Sequence, residues 1–296
     1  DSWLDLARAF SNERTLFSLN PRLQRSLAEN LVCAASSLKD AEASNQYVRD
    51  LIGPMTSYLA EISARNDLKD VAQLPDAMYM VNCLLERLIG VARATQPRTQ
   101  KAVFDVCVAV VNPLITLLEA YKNQPAVVYL IIKFTVDLVD GQVTFLNAKD
   151  TSVLVSFCLQ LLQIYSSLNI GKLSLSHSKI VLSGAQVEDY KDLLALLQLL
   201  TNLCSKELID FSPDEPGSPD IAEVIFVGLH IVSPLISFDL LKFPKLSGCY
   251  FRLISHMLEV YPEKVVLLAK EAFAQVIAAI DFGIQHQVRL IFLKKQ

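Results

Sequence analysis

The sequence predicts an all-α fold of stacked, antiparallel helix pairs. Three features carry that prediction: apolar residues recur with the helical period, prolines mark helix starts, and glycine is scarce. The chain has 296 residues, of which 52% are hydrophobic and 20% charged, as in folded proteins and far from a disordered composition. Nine glycines are few for the turns and phosphate loops of β-rich or nucleotide-binding α/β folds. Abundant Leu, Ala and Val favour helix. The length suits two ordinary domains or one elongated repeat array.

The period is visible from the first third of the chain onward. Val48, Leu51, Ile52, Met55, Leu59 and Ile62 follow i, i+3, i+4, i+7 spacing, as do Met78, Val81, Leu85, Leu88 and Ala92. Tyr250, Leu253, Ile254, Met257, Leu258 and Tyr261 repeat it with Arg252, Ser255, His256 and Glu259 on the opposite face, and Phe273, Val276, Ile277, Ile280 and Ile284 close the series. Residues 127–139 and 193–204 are apolar almost all round, so those helices need cover on several sides. Alternation of one-faced and many-faced helices is what layered helical hairpins require, and it points to a superhelical α-solenoid of the HEAT type.

Pro21, Pro75, Pro97, Pro125, Pro219, Pro244 and Pro262 each open or closely precede an apolar-periodic segment. Proline suits the first helical turn, where its missing N–H is not needed. The intervals are about one helix or one helix pair, in the range of a HEAT array. Gly53-Pro54-Met55, Asn112-Pro113-Leu114 and Ser233-Pro234-Leu235 form a faint internal echo, and each of these prolines should kink or split its helix. Residues 172–185 and 211–219 lose the period, are rich in Ser or Pro, and read as surface loops.

Charge and cysteine usage bound the function. The net charge of −4 lacks the basic footprint of a nucleic-acid binder. Residues 186–220 hold eight acids against Lys191 and Lys206, a local acidic surface or a solvated helix end and loop. Six cysteines stand far apart with no CxxC, in apolar helical patterns where a thiol acts as a small hydrophobe. With no N-x-S/T sequon and no charged-then-apolar leader ahead of Asp1, a reducing intracellular compartment is expected. Residues 151–171 carry no charge, but four serines, two glutamines, a threonine and an asparagine argue against a membrane span.

Catalytic chemistry does not assemble. The phosphate-loop, dinucleotide, zincin and nucleophile-elbow motifs are all absent. The four histidines are scattered; His256 reads as a surface residue and His230 as a hydrogen-bonded core residue. No catalytic, cofactor or metal residue is expected, and the chain reads as a binding protein and not an enzyme. One polar constellation remains. Lys133, Asp137 and Asp140 lie at i, i+4 and i+7 in an otherwise apolar helix. They form either an exposed face with a weak ion pair or a strip of inner surface offered to a basic partner.

Residues 189–194 (DYKDLL), 199–212 (LLTNLCSKELIDFS), 232–246 (VSPLISFDLLKFPKL), 250–251 (YF) and 260–264 (VYPEK) resemble the exportin-4 family of the importin-β (karyopherin) superfamily. Residues 139–146 (VDGQVTFL) are similar to the exportin-4 and exportin-7 group. The overall flavour is similar to plant members. The resemblance covers the chain to about Gln287, so residues 1–287 are expected to be a HEAT array from the later part of a longer receptor. Residues 288–296 do not look like the family's continuation. The resemblance implies nuclear export: a receptor that binds protein cargo together with Ran-GTP, shuttles between nucleus and cytoplasm, meets nuclear pore proteins, and needs no cofactor, direct nucleic-acid contact or membrane insertion. The cargo it implies includes the hypusine-bearing translation factor 5A. Hypusine is long and basic, so acids are its natural partners; Asp137, Asp140, Asp189 and Asp192, with Lys133 beside the first two, are the candidates by chemistry. The other reading is a truncated helical-repeat scaffold that binds proteins without Ran.

Overall fold

The computed structural model describes residues 2–12, 14–169, 190–205 and 220–285. The two serine- and proline-rich connections, Asp189 and the 288–296 tail lie outside them. Every regular element among the described residues is helical. The chain divides into two compact units, Asp1–Phe157 and Cys158–Gln296.

In the first unit the elements are α1 (Ser2–Asn12), α2 (Pro21–Cys33), α3 (Ala41–Ser63), the single turn α4 (Leu68–Val71), α5 (Pro75–Arg93), α6 (Gln100–Val108), α7 (Val111–Ala120) and α8 (Pro125–Gln142). Helix α9 (Ala148–Asn169) runs across the division. Two layers result. In one, α2 packs on α5 and α5 on α8; in the other, α3 packs on α1 and on both α6 and α7. Helix α6 joins the layers through α5 and α8. The second unit contains α10 (Lys191–Ser205), α11 (Ile221–Val232), α12 (Pro244–Val260), α13 (Pro262–Val266) and α14 (Lys270–Gln285), with α10 packed on both α11 and α12.

Helix starts follow the local rules. Pro21, Pro75, Pro125, Pro244 and Pro262 each occupy the first helical position. Asn20, Asp40 and Asp220 cap α2, α3 and α11 by accepting the backbone N–H of Arg22, Ala43 and Ala222. The three echoed prolines behave differently. Helix α3 runs unbroken through Pro54. Ahead of Pro113, at residues 109–110, the chain bends by 42° between α6 and α7, and the proline falls in the first turn of α7. At Pro234 the α-helix ends and a single 3-10 turn, Ser233–Leu235, follows. The expected break therefore holds at two positions, and at Pro54 the helix absorbs one missing hydrogen bond.

Packing explains the many-faced helices. In α8, Val127, Ile131, Ile132, Phe134, Leu138 and Val139 are all fully enclosed, because α5 covers one side and α6 and α7 another. Each such side chain stabilises the fold by roughly 1.5–3 kcal/mol relative to exposure. Successive helices of the α2–α5–α8 layer approach at glycine: a Cβ on Gly90 would meet Arg25 O of α2 at 2.2 Å, and one on Gly141 would meet Ala92 O of α5 at 3.1 Å. Helix α9 is long and apolar enough to cross a membrane by length and composition. Its Leu154, Val155, Cys158, Leu161 and Leu162 are buried within the protein, and 44% of its apolar stretch is buried in all.

Five of the long-range polar contacts fall near one sequence interval. Ser11 Oγ donates to Leu51 O across 40 residues, Arg93 pairs with Asp137 across 44, Lys264 with Asp220 across 44, Gln100 with Gln142 across 42, and Gln275 donates to Ser233 O across 42. These separations are close to the about 40–47 residues of one helix pair in a HEAT array, while the bonds that join α2 to α5 span 61 and 63 residues.

The thiols are part of the core. Cys83, Cys107, Cys158 and Cys204 are buried and Cys33 and Cys249 half-buried, all reduced. Burial pushes Cys107, Cys158 and Cys204 up to about 12. A thiol raised in the folded state favours folding below its ordinary value near 9, and that contribution drains away as pH climbs towards 12. The expected result with Ellman's reagent at pH 8 is prompt reaction at Cys33 and Cys249 and at least tenfold slower reaction at the other four until denaturant is added. Fast labelling of Cys107 or Cys158 in the native protein would contradict this packing.

Candidate partner-binding surface

Burial leaves α8 a single outward edge. Tyr129, Lys133 and Asp137 are half-buried on it and Asp140 is exposed at its end. Asp137 is 12% exposed and its carboxylate is shared: Oδ1 accepts from Lys133 Nζ at 2.7 Å, and Oδ2 accepts from Arg93 Nε in the last turn of α5 at 2.9 Å. Lys133 and Arg93 are themselves 17% and 34% exposed, so solvent screens the network only in part. Two cations on one carboxylate leave the immediate surroundings of Asp137 net positive. Asp137 is thus a brace between α5 and α8, and Asp140 is the acid on this edge that faces outward.

A second ionic group stands near the start of α6. Lys101 Nζ lies 2.8 Å from Asp150 Oδ2 and 3.0 Å from Asp105 Oδ1. The hydrogen bond to Asp150, and then that to Asp105, hold the lysine above its ordinary pKa. Asn147 caps α9 beside it through Oδ1 and the Asp150 N–H.

Lys133, Asp137 and Asp140 share one helix edge in the first unit, whereas Asp192 sits half-buried in the first turn of α10, in the second unit. Arg93 was missed by sequence reading. Its signal was its separation from Asp137, one repeat period, with both residues on helices of the same layer. His230, expected in the core, is exposed at the end of α11. The apolar run there does place Val224, Ile225, Leu229 and Val232 inside, but position 230 falls on the outer side of the helix.

Among the described residues no three His, Cys, Asp or Glu side chains converge as a metal site. In the second unit an apolar hollow of about 520 Å³ opens between α12 and α14, lined by Ile236, Phe238, Leu241, Tyr250, Ala274 and Ala278. Phe238 is half exposed and stacks on Phe282 at 5.1 Å.

Helix pairs stacked in two layers and presenting narrow polar edges define a helical-repeat protein of the α-solenoid class. The family model for exportin-4 matches residues 2–292. The chain belongs to the exportin-4 family. That family consists of nuclear export receptors, a transport class and not an enzyme class, whose members shuttle between nucleus and cytoplasm through the nuclear pore.

Proposed function

We propose that this chain is a segment of a nuclear export receptor that binds protein cargo together with Ran-GTP and passes the nuclear pore by contacts with pore proteins. The observation that carries the reading is the family match across residues 2–292. It is supported by an architecture that offers helix edges to macromolecular partners. The acids a basic cargo such as the hypusine-bearing translation factor 5A would use are Asp140 in the first unit and, as a separate candidate, Asp192 with Asp189 near it in sequence. Asp137 and Lys133 would hold the α8 edge in register through the Arg93 brace and would contribute little net charge.

The test is a pull-down of the chain with Ran loaded with GTP or GDP, with and without cargo. The expected result is at least tenfold preference for Ran-GTP, strengthened by cargo, with Ran-GTP strengthening cargo binding by the same factor, as linkage requires. Asp140→Lys should weaken cargo binding by roughly three- to tenfold, because the residue is exposed and the change reverses its charge. Binding indifferent to the nucleotide would instead mark a helical-repeat scaffold without Ran dependence.

A further inference from the structure

Arg87 is a buried cation that the helix packing only partly satisfies. It lies in α5 with 2% of its surface exposed. Its guanidinium is sandwiched between two phenyl rings, 4.1 Å from the Phe10 centroid and 4.3 Å from that of Phe17. Nε donates to Gln24 Oε1 at 2.7 Å and Nη1 to Phe10 O at 3.0 Å. Nη2 is enclosed and has no hydrogen-bond partner. The neighbouring acid, Glu86, is turned to Arg25 of α2. Burial lowers the guanidinium pKa to about 10, which leaves it charged at neutral pH. A buried ion whose charge is met by neutral acceptors alone is costly, and proteins rarely keep one without a counter-charge.

The same side chain lines a cleft of about 270 Å³ between α1, α3 and α5. Phe17, Met55 and Leu84 give it apolar walls; Ser11, Asn12 and Tyr58 add polar groups; Glu61 stands exposed among its lining residues. We propose that this cleft is a binding site for a carboxylate carried on an apolar stem, with Arg87 as its cationic floor. Nε and Nη1 are engaged, so the carboxylate would be held by the N–H groups of Nη2 alone, in a charge-assisted bond. The apolar walls suit a stem of one phenyl or short aliphatic group. The site does not depend on the transport reading, since its argument uses only the first unit's own side chains.

The stem can belong to a small free acid or to an acidic side chain on a partner's segment, and two probe pairs separate these. The first pair is 3-phenylpropionate and its neutral amide. The second is a capped acetyl-Gly-Phe-Glu-Gly-amide peptide and the same peptide with glutamine for glutamate. Titrated calorimetrically into the intact chain, each acid should bind at least tenfold tighter than its neutral partner. The tighter of the two acids identifies the source, and either result upholds the site. Glu61→Gln removes a like charge at the site and should tighten both acids by roughly threefold with no change in melting temperature. Arg87→Lys should weaken them at least tenfold. Glu61 is exposed, so its variant keeps the test open even where Arg87→Lys does not fold. Equal binding of acid and amide overturns the proposal, as does a Glu61→Gln variant that leaves acid binding unchanged. A Glu61→Gln variant that melts lower also overturns it, because Glu61 would then itself be the counter-charge for Arg87.

Discussion

Gly90→Ala is expected to cost the first unit about 2–4 kcal/mol, although it adds a single methyl group and improves helix propensity. The favourable part is known in sign and size: alanine exceeds glycine by about 1 kcal/mol in a helix interior. Against it stands a Cβ that would lie 2.2 Å from Arg25 O, 3.0 Å from Glu29 N and 3.1 Å from Ala28 Cβ. Two of those three neighbours are backbone atoms of α2, so no side chain can rotate away and the helices must part by about an ångström. Overpacking costs roughly 1–3 kcal/mol where side chains can adjust, and more where backbone has to move. The separation would also loosen the face on which Ala28, Leu31 and Val32 of α2 are buried. Urea unfolding would register the effect as a lower midpoint with an unchanged slope. Gly53→Ala serves as the control, since nothing lies within 4 Å of its Cβ position. Alanine's helix preference there is offset by the clash that Pro54 imposes on the residue before it, so the change should stay within about 0.5 kcal/mol. A Gly90→Ala protein as stable as the parent would mean that α2 and α5 are not in backbone contact.

That contact shows where sequence reading stops. The periodicity identified the α5 stripe Met78, Val81, Leu85, Leu88 and Ala92, and Val81, Leu85, Leu88 and Ala92 are indeed in the core. It left Glu86, Arg87 and Gly90 on what would be a solvated face. They are buried because α5 is covered by α2 and α8 within its layer and by α6 from the other. A hydrophobic stripe reports the side that must be covered and is silent about the sides that a neighbouring pair also covers. The converse holds in α14, where Phe273, Ile277 and Ile284 carry the expected stripe yet are 36%, 50% and 57% exposed.

Helix starts were more legible than helix interiors for a local reason. A proline at the first position acts through its own ring and missing N–H, so Pro75 and Pro125 declare themselves without reference to the rest of the fold. The fate of an interior proline depends on its surroundings, and the near-identical contexts of Pro113 and Pro234 end in a bend and in a 3-10 turn. The polar edge of α8 was legible in the same partial way. The i, i+4 pair Lys133–Asp137 followed from spacing alone. Arg93 required knowing that a residue one repeat earlier lies alongside.

Arg87→Met is the other substitution with a large expected effect, and its sign is set by competing terms. Methionine is apolar and fills similar volume, so the variant escapes the desolvation of a buried charge, a gain that in some proteins makes such replacements neutral or stabilising. Here the losses are more numerous. Gln24 is fully buried and its Oε1 would lose its Arg87 donor, as would Phe10 O, at about 1–3 kcal/mol for each group left unsatisfied. Two desolvated cation–π contacts disappear, each worth about 1–2 kcal/mol, partly replaced by sulfur–aromatic contacts of about 1 kcal/mol. The guanidinium also joins α1, α2 and α5 with the 3-10 turn at Phe17, so its loss frees the N-terminal hairpin from the layer behind it. The net expectation is destabilisation by about 2–4 kcal/mol, with the Phe10 and Phe17 region exchanging amide hydrogens earlier than α8. Pairing Arg87→Met with Gln24→Leu tests the accounting, because removing both partners spares the unsatisfied Oε1. The double variant should recover about 1 kcal/mol relative to the sum of the single changes. Strict additivity would show that Gln24 finds another donor and that the arginine holds the hairpin through its ring contacts alone.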